Sequence, residues 1–320
     1  METEGLKLDY VIGIDLGGTW LRIAIAKNNN EKIKESILRK YILPTNLLNN
    51  DPIKKLENII HEISKNIIDN IACICIAAAG KLDLKKSKII FSPHSSIRNL
   101  SLSILEENLK IPIKLINDGV AGALAEWKLC IKNDNIVYIA IGTGIGGGIV
   151  VDGHLLIGKE GNAHEFGHMI VDINGLMECK CGGRGHWEAY TSGSGLPNLC
   201  KFLSKNYNEE TPLLKKVINN NFNIKDIFEY TRKGDKFGMY VINEVIKINA
   251  MAIANLVNLY DPNVISIGGG VALKNPDLII DPLNDHVSKY SFNTPPKIIP
   301  SSLKEETSLI GAILFAMEEL

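Results

Sequence analysis

The residues with the most distinctive chemistry stand close together. His168, Cys179, Cys181 and His186 lie within 19 residues, on a stretch that also holds Gly182, Gly183 and Gly185. Zinc is held by four tetrahedral Cys and His ligands with short loops between them, so this group suits one structural Zn2+. A flexible loop with free thiols and a surface histidine is the plainer alternative. The other cysteines, Cys73, Cys75, Cys130 and Cys200, lie in apolar segments and read as core fillers. Three glycine turns add a second kind of chemistry. Asp15-Leu16-Gly17-Gly18-Thr19 sits between two apolar runs. Glycines there let backbone N–H groups approach an anion without a Cβ in the way. Thr19 adds a hydroxyl donor, and Asp15 can hold a metal-bound water. A tight hairpin alone would need no more than the Gly-Gly pair.

The second turn, Gly142 to Gly148, contains Gly142, Gly144 and Gly147 at the spacing G-x-G-x-x-G. A dinucleotide turn must open a helix, whereas this one runs into the β-branched Ile149-Val150-Val151, so the fingerprint fails on context. No G-x-x-x-x-G-K-[ST] is present either. The third turn, Gly268-Gly269-Gly270, precedes a helix. Finally, Asn117-Asp118 closes an apolar strand and opens a helix of small residues. Asp118 would project from the strand end, where a carboxylate can act as general base. Asn117 can both donate to and accept from a hydroxyl. Helix capping is the ordinary reading of such a pair.

The apolar pattern supplies the elements that place these groups. Val11–Ile14 and Trp20–Ala26 read as strands around the first turn, and Ile136–Ile141 leads into the second. Asp51-Pro52 opens a helix whose apolar face is Ile53, Leu56, Ile59, Ile60, Ile63 and Ile67. Ile71–Ala79 suits a buried central strand, and Ile111–Ile116 another. Helices are expected over 104–109, 119–129, 240–260 and 308–319, with a strand at Val264–Ile267. Two strand–turn–strand units imply two related α/β domains, with the boundary near residue 118.

Two glycine hairpins in this order, followed by a third glycine turn, resemble the actin/hexokinase/Hsp70 ATPase superfamily. The resemblance implies an α/β fold of two actin-like ATPase (ribonuclease H-like) domains with a cleft between them. Residues 1–118 and a C-terminal helix at about 306–320 would form the small N-terminal domain. Residues 119–305 would form the larger one, carrying the zinc loop. It also implies that Asp15, Gly17, Gly18, Thr19, Gly142, Thr143, Gly144, Gly269 and Gly270 bind ATP.

Glu165-Phe166-Gly167-His168, followed by Cys179-Lys180-Cys181-Gly182-Gly183-Arg184-Gly185-His186-Trp187-Glu188, narrows the resemblance. It is similar to the signature of the ROK family (repressor, open reading frame, kinase), G-E-x-G-H and then C-x-C-G-x-x-G-C-x-E. Three positions depart: His186 replaces the third cysteine, His164 replaces the leading glycine, and Pro93-His94 stands where a P-N pair is common. The resemblance implies a sugar kinase in which Asp118 deprotonates the 6-hydroxyl. Asn117, Glu165, His168, Glu188, Gly80 and His94 would contact the sugar. It further implies Mg2+ on the ATP phosphates and Zn2+ on His168, Cys179, Cys181 and His186. Glucose is the expected sugar. N-acetylmannosamine is second, because Gly119 and Ala79-Gly80-Lys81 look like that branch. A non-catalytic sugar-binding protein would be expected to lose Asp118 or a hairpin, and both are kept.

Charge and composition narrow the remaining classes. The 320 residues are 45% hydrophobic and 22% charged, enough for a sizeable core. The net charge, 35 − 36 = −1, provides no field to gather phosphate backbones, so no nucleic-acid partner is expected. Asp15 lies 14 residues from Met1, leaving no room before it for the winged helix of ROK repressors. Glu2, Glu4, Lys7 and Asp9 argue against a signal peptide, and the apolar stretch Ile136–Val151 is too short and too glycine-rich to span a membrane. A cytoplasmic homo-oligomer, a dimer or tetramer, is expected.

Overall fold

The computed structural model describes residues 9–28, 33–92 and 95–318. His94, its neighbour Pro93 and the charged residues 1–8 lie outside the described residues. The chain divides into two compact units. One takes the described residues up to Cys130, then Leu155–His164, then those from Glu306 onward; the other takes Ile131–His154 and Glu165–Glu305.

The first unit is built on β1 (Tyr10–Leu16), β2 (Trp20–Lys27), β3 (Ile37–Pro44), β4 (Ile71–Ala78), the short β5 (Lys81–Asp83), β6 (Lys88–Phe91) and β7 (Arg98–Ser101), and β8 (Ile113–Asn117). The main sheet has the order β3-β2-β1-β4-β8, and β5, β6 and β7 form a small separate sheet. β2 lies antiparallel to β1, pairing Asp15 with Arg22, whereas β4 runs parallel to β1 and β8 parallel to β4. The helix Pro52–Ser64 starts as its sequence requires, with the Asp51 carboxylate accepting from Lys54 N–H at 3.1 Å. Leu56, Ile60 and Ile63 are its buried apolar face, and Ile67 falls beyond its end.

The helix Thr307–Met317 closes this unit. A Cβ on Gly13 of β1 would stand 2.6 Å from Ile313 Cγ1, and one on Gly311 would stand 1.8 Å from the Ala121 carbonyl oxygen. Glycine at both positions lets the helix lie on the sheet and against the helix Asp118–Leu129. This contact explains a difference from the expected boundary at residue 118. Asp118–Leu129 packs with the last helix and stays in the first unit. The unit also takes back Leu155–His164, where Asn162 Oδ1 accepts from Leu82 N–H at 2.9 Å and its Nδ2 donates to Leu82 O at 2.8 Å.

The second unit repeats the plan. Its strands are β9 (Ile136–Ile141), β10 (Ile145–Val151), β11 (His154–Leu155), β12 (Val264–Gly268) and β13 (Lys297–Pro300), in the order β11-β10-β9-β12-β13. β10 is antiparallel to β9, while β12 and β13 continue in parallel. An antiparallel hairpin followed by two parallel strands in both units is the ribonuclease H-like α/β arrangement that the resemblance implied. The expected turn 142–148 is shorter in the structure: β10 begins at Ile145, so Gly146, Gly147 and Gly148 are strand residues. Gly147 is glycine because a Cβ would stand 2.4 Å from the Phe166 ring.

The helix Lys236–Tyr260 begins four residues before the expected start at Tyr240, where Asp235 accepts from Gly238 N–H at 2.9 Å. By length and apolar content it could cross a membrane, yet Phe237, Val241, Val245, Ile253 and Val257 are buried in the unit's core.

Candidate active site

In the first unit the β1–β2 turn is closed by Gly17 N–H donating to Trp20 O at 3.1 Å. Thr45, just after β3, clamps it from the side: its hydroxyl donates to Gly17 O at 2.7 Å and its N–H to Thr19 O at 2.9 Å. Gly18 is half-buried and Thr19 exposed, so both remain reachable by a ligand. Thr45 carried no signal in the sequence, because only the β2–β3 pairing brings it there. Gly80, at φ +104°, follows the end of β4.

Asp15 at the end of β1 is buried, and Arg22 Nη1 meets its Oδ2 at 3.0 Å. Burial, and secondly the charge of Asp118, push its pKa up to about 7 against the lowering effect of Arg22. Asp118 therefore bears on Asp15, whose carboxylate also meets the Arg22 guanidinium. Asp118 opens the helix Asp118–Leu129; burial raises its pKa, partly offset by Gly119 N–H, which donates to Oδ1 at 2.9 Å. Asn117 is the N-cap, its Oδ1 accepting from Gly119 N–H at 2.8 Å and Val120 N–H at 3.4 Å. Those two bonds use the oxygen's lone pairs, so the expected double role towards a hydroxyl reduces to donation from Nδ2.

In the second unit the turn Gly142–Gly144 is held from two sides. Gly193 N–H donates to Gly142 O at 2.8 Å and Ser194 N–H to Thr143 O at 3.1 Å. In a trans peptide the next N–H points opposite to the carbonyl, so the N–H groups of Thr143 and Gly144 face away from that loop. Successive N–H groups turned one way are an anion-binding arrangement. Gly269 and Gly270 sit alongside, about 4 Å from where a Gly142 Cβ would be (4.0 and 3.9 Å). Gly269 has φ +86°, and a Cβ there would stand 2.4 Å from the Ile141 carbonyl carbon. The segment Ser192-Gly193-Ser194-Gly195 was missed in the sequence, although its alternating Ser and Gly were visible. Glu188 is buried; its Oε2 accepts from Ile145 N–H at 2.8 Å and its Oε1 lies 3.7 Å from Cys179 Sγ.

His168, Cys179, Cys181 and His186 converge in the same unit, their ligand atoms all within 4.8 Å of one another. The two Nδ1 atoms are 3.3 Å apart, Cys181 Sγ is 3.3 Å from His186 Nδ1, and Cys179 Sγ is 3.8 Å from His168 Nδ1. Tetrahedral zinc with usual bond lengths gives edges of about 3.4 Å for N–N and about 3.8 Å for S–S. The donor set fits. Burial pushes the Cys179 thiol up to about 12 and lowers His186, so both favour their neutral forms without a metal. A cation there would favour the thiolate instead. His168 Nε2 points to Glu165 Oε2 at 3.7 Å. Gly183 is required because a Cβ would stand 2.2 Å from the His186 ring.

The loop has a scaffold of its own. Asp172 accepts from Asn174 and Leu176 N–H, each at 2.9 Å, and from Tyr190 Oη at 2.5 Å, while Met177 N–H donates to Tyr190 Oη.

The ROK family profile matches residues 11–319. The chain belongs to the ROK family. A glucokinase from Aeropyrum pernix is 31% identical over 317 residues, covering 96% of each chain. The xylose repressor of Bacillus subtilis is 30% identical over 244 residues, covering 74% of this chain and 59% of the repressor. Among solved structures, a ROK family glucokinase from Streptomyces griseus, in complex with glucose and AMPPNP, aligns with a TM-score of 0.76 at 27% identity, covering 96% of this chain and 99% of that one. ROK membership agrees with the repeated ribonuclease H-like sheets and with both glycine turns.

Proposed function

We propose that this ROK protein is an ATP-dependent hexokinase that transfers the ATP γ-phosphoryl group to the 6-hydroxyl of glucose. The observation that carries the reading is Asp118: a strand-end carboxylate at a helix start, its pKa raised by burial, beside Asp15. A general base gains from a pKa shifted upward from the ordinary carboxylate value, and burial shifts this one in that direction. Asp118 accepts the hydroxyl proton, and Asn117 Nδ2 donates to a neighbouring hydroxyl. Glu165, His168 and Glu188 contact other sugar hydroxyls, and Gly80 borders the sugar. The N–H groups of the Gly142–Gly144 turn and the Gly17–Thr19 turn receive the phosphates, with Gly269 and Gly270 flanking the nucleoside.

Burial and the neighbouring Asp118 disfavour the ionised form of Asp15, and a divalent cation held through water by Asp15 would favour it instead. When bound with ATP, Mg2+ supplies charge neutralisation of the phosphates. His168, Cys179, Cys181 and His186 would hold Zn2+, which would fix the His168 ring and leave Nε2 for Glu165 or the sugar.

ATP consumption against a panel of hexoses and N-acetylhexosamines tests the reading. Glucose should give the highest kcat/KM. A higher value for N-acetylmannosamine would make that sugar the substrate, and sugar binding without any ATP turnover would make the protein a non-catalytic binder.

A further inference from the structure

The two glycine-rich motifs of the second unit interlock. Ile145, the first residue after the Gly142–Gly144 turn, donates its N–H to buried Glu188 Oε2 at 2.8 Å. A Cβ on Gly167 would stand 2.3 Å from Ile145 O, and one on Gly147 would stand 2.4 Å from the Phe166 ring. Glu188 and the segment Glu165–His168 therefore grip the residue that ends the turn, and Glu188 Oε1 reaches Cys179 of the metal-type cluster.

We propose that Glu188 is a positioning residue for the nucleotide-binding turn, acting through the Ile145 amide, in addition to any contact with sugar. The proposal rests on the nucleotide role given above to Gly142–Gly144. A buried amide that loses its acceptor must find another or rotate, and rotation of the Ile145 peptide turns the Gly144 carbonyl with it. Gly142 N–H donates to that carbonyl at 2.9 Å, so the disturbance reaches the whole turn.

The test is MgADP binding to the full-length, metal-replete chain by calorimetry with no sugar present, so that sugar contacts cannot contribute. Glu188→Ala should weaken MgADP about tenfold, whereas Glu188→Gln, whose amide oxygen can accept the same N–H, should stay within about twofold of wild type. Unchanged MgADP affinity in folded Glu188→Ala overturns the proposal while leaving the kinase reading intact. Absence of MgADP binding in the wild type overturns the nucleotide assignment itself. If Glu188→Ala does not fold, hydrogen exchange of the Ile145 amide in the wild type decides. Protection that persists in Glu188→Gln supports the bond, and wild-type exchange at the rate of an open amide overturns it.

Discussion

The two units share a strand order but equip it differently. In the first, the β1–β2 turn is flanked by ionisable side chains: Asp15, Arg22 and, at the start of a helix, Asp118. In the second, the β9–β10 turn is surrounded by backbone groups of Gly193, Ser194, Gly269 and Gly270, and the Glu188 carboxylate is occupied by an amide. One plan thus places groups that move protons and hold cations, and the same plan places fixed dipoles that receive an anion. The difference lies in which residues end the strands, since the sheets themselves match.

Asp118→Asn breaks the first arrangement most deeply. Loss of a general base should lower turnover by about 10²–10⁴-fold while glucose binding, read by calorimetry, persists. Wild-type turnover would remove Asp118 from the mechanism.

Asp15→Asn acts on stability through pH. The folded-state pKa of about 7 lies above the ordinary 3.8, so the folded chain retains a proton that the unfolded chain has released. The resulting stability is complete below the unfolded pKa, declines as pH rises towards 7 and is level above it. The slope is at most about 1.4 kcal/mol per pH unit. In Mg2+-free buffer, Tm should fall through this window in the wild type more than in Asp15→Asn. Parallel Tm curves would refute the assignment.

On the other side of the comparison, Gly269→Ala forces a Cβ into the Ile141 backbone at a positive φ. Such strain costs about 1–3 kcal/mol, read by denaturant unfolding, and the KM for ATP should rise with little change in that for sugar. The smallest effect is expected from Cys181→Ser. Metal analysis should find one tightly held zinc per chain in the wild type and substantially less in the variant. Because Asp172 and Tyr190 hold the loop independently of any metal, Tm should fall by only a few degrees, about 1 kcal/mol. Untagged wild-type protein without zinc would remove the site.

The strand–turn–strand units and the four-residue metal group were legible because each depends on residues close in sequence. The length of the second turn was not. Gly146–Gly148 look like turn residues by propensity, and the Tyr138 carbonyl oxygen and the Phe166 ring against Gly147 show why a strand carries glycine there. Thr45, Asp172 and Tyr190 act through backbone bonds or loop closures that leave no local pattern, whereas Gly193 lies in an alternating Ser-Gly run whose partner, the Gly142 carbonyl, is distant in sequence. Asn117 carried both readings in the sequence, and the geometry commits its oxygen to the cap.

The contact of Gly311 with Ala121 also bears on how the chain is made. The first unit needs a helix, Thr307–Met317, that is made after Glu165–Glu305 of the second unit, while its strands β1, β2 and β4 are made early. A nascent chain therefore holds an uncovered sheet around Gly13 until Thr307–Met317 is made, and the second unit, continuous over Glu165–Glu305, can form before the first is complete. A protein released without its last helix would present the Gly13 face of that sheet to chaperones.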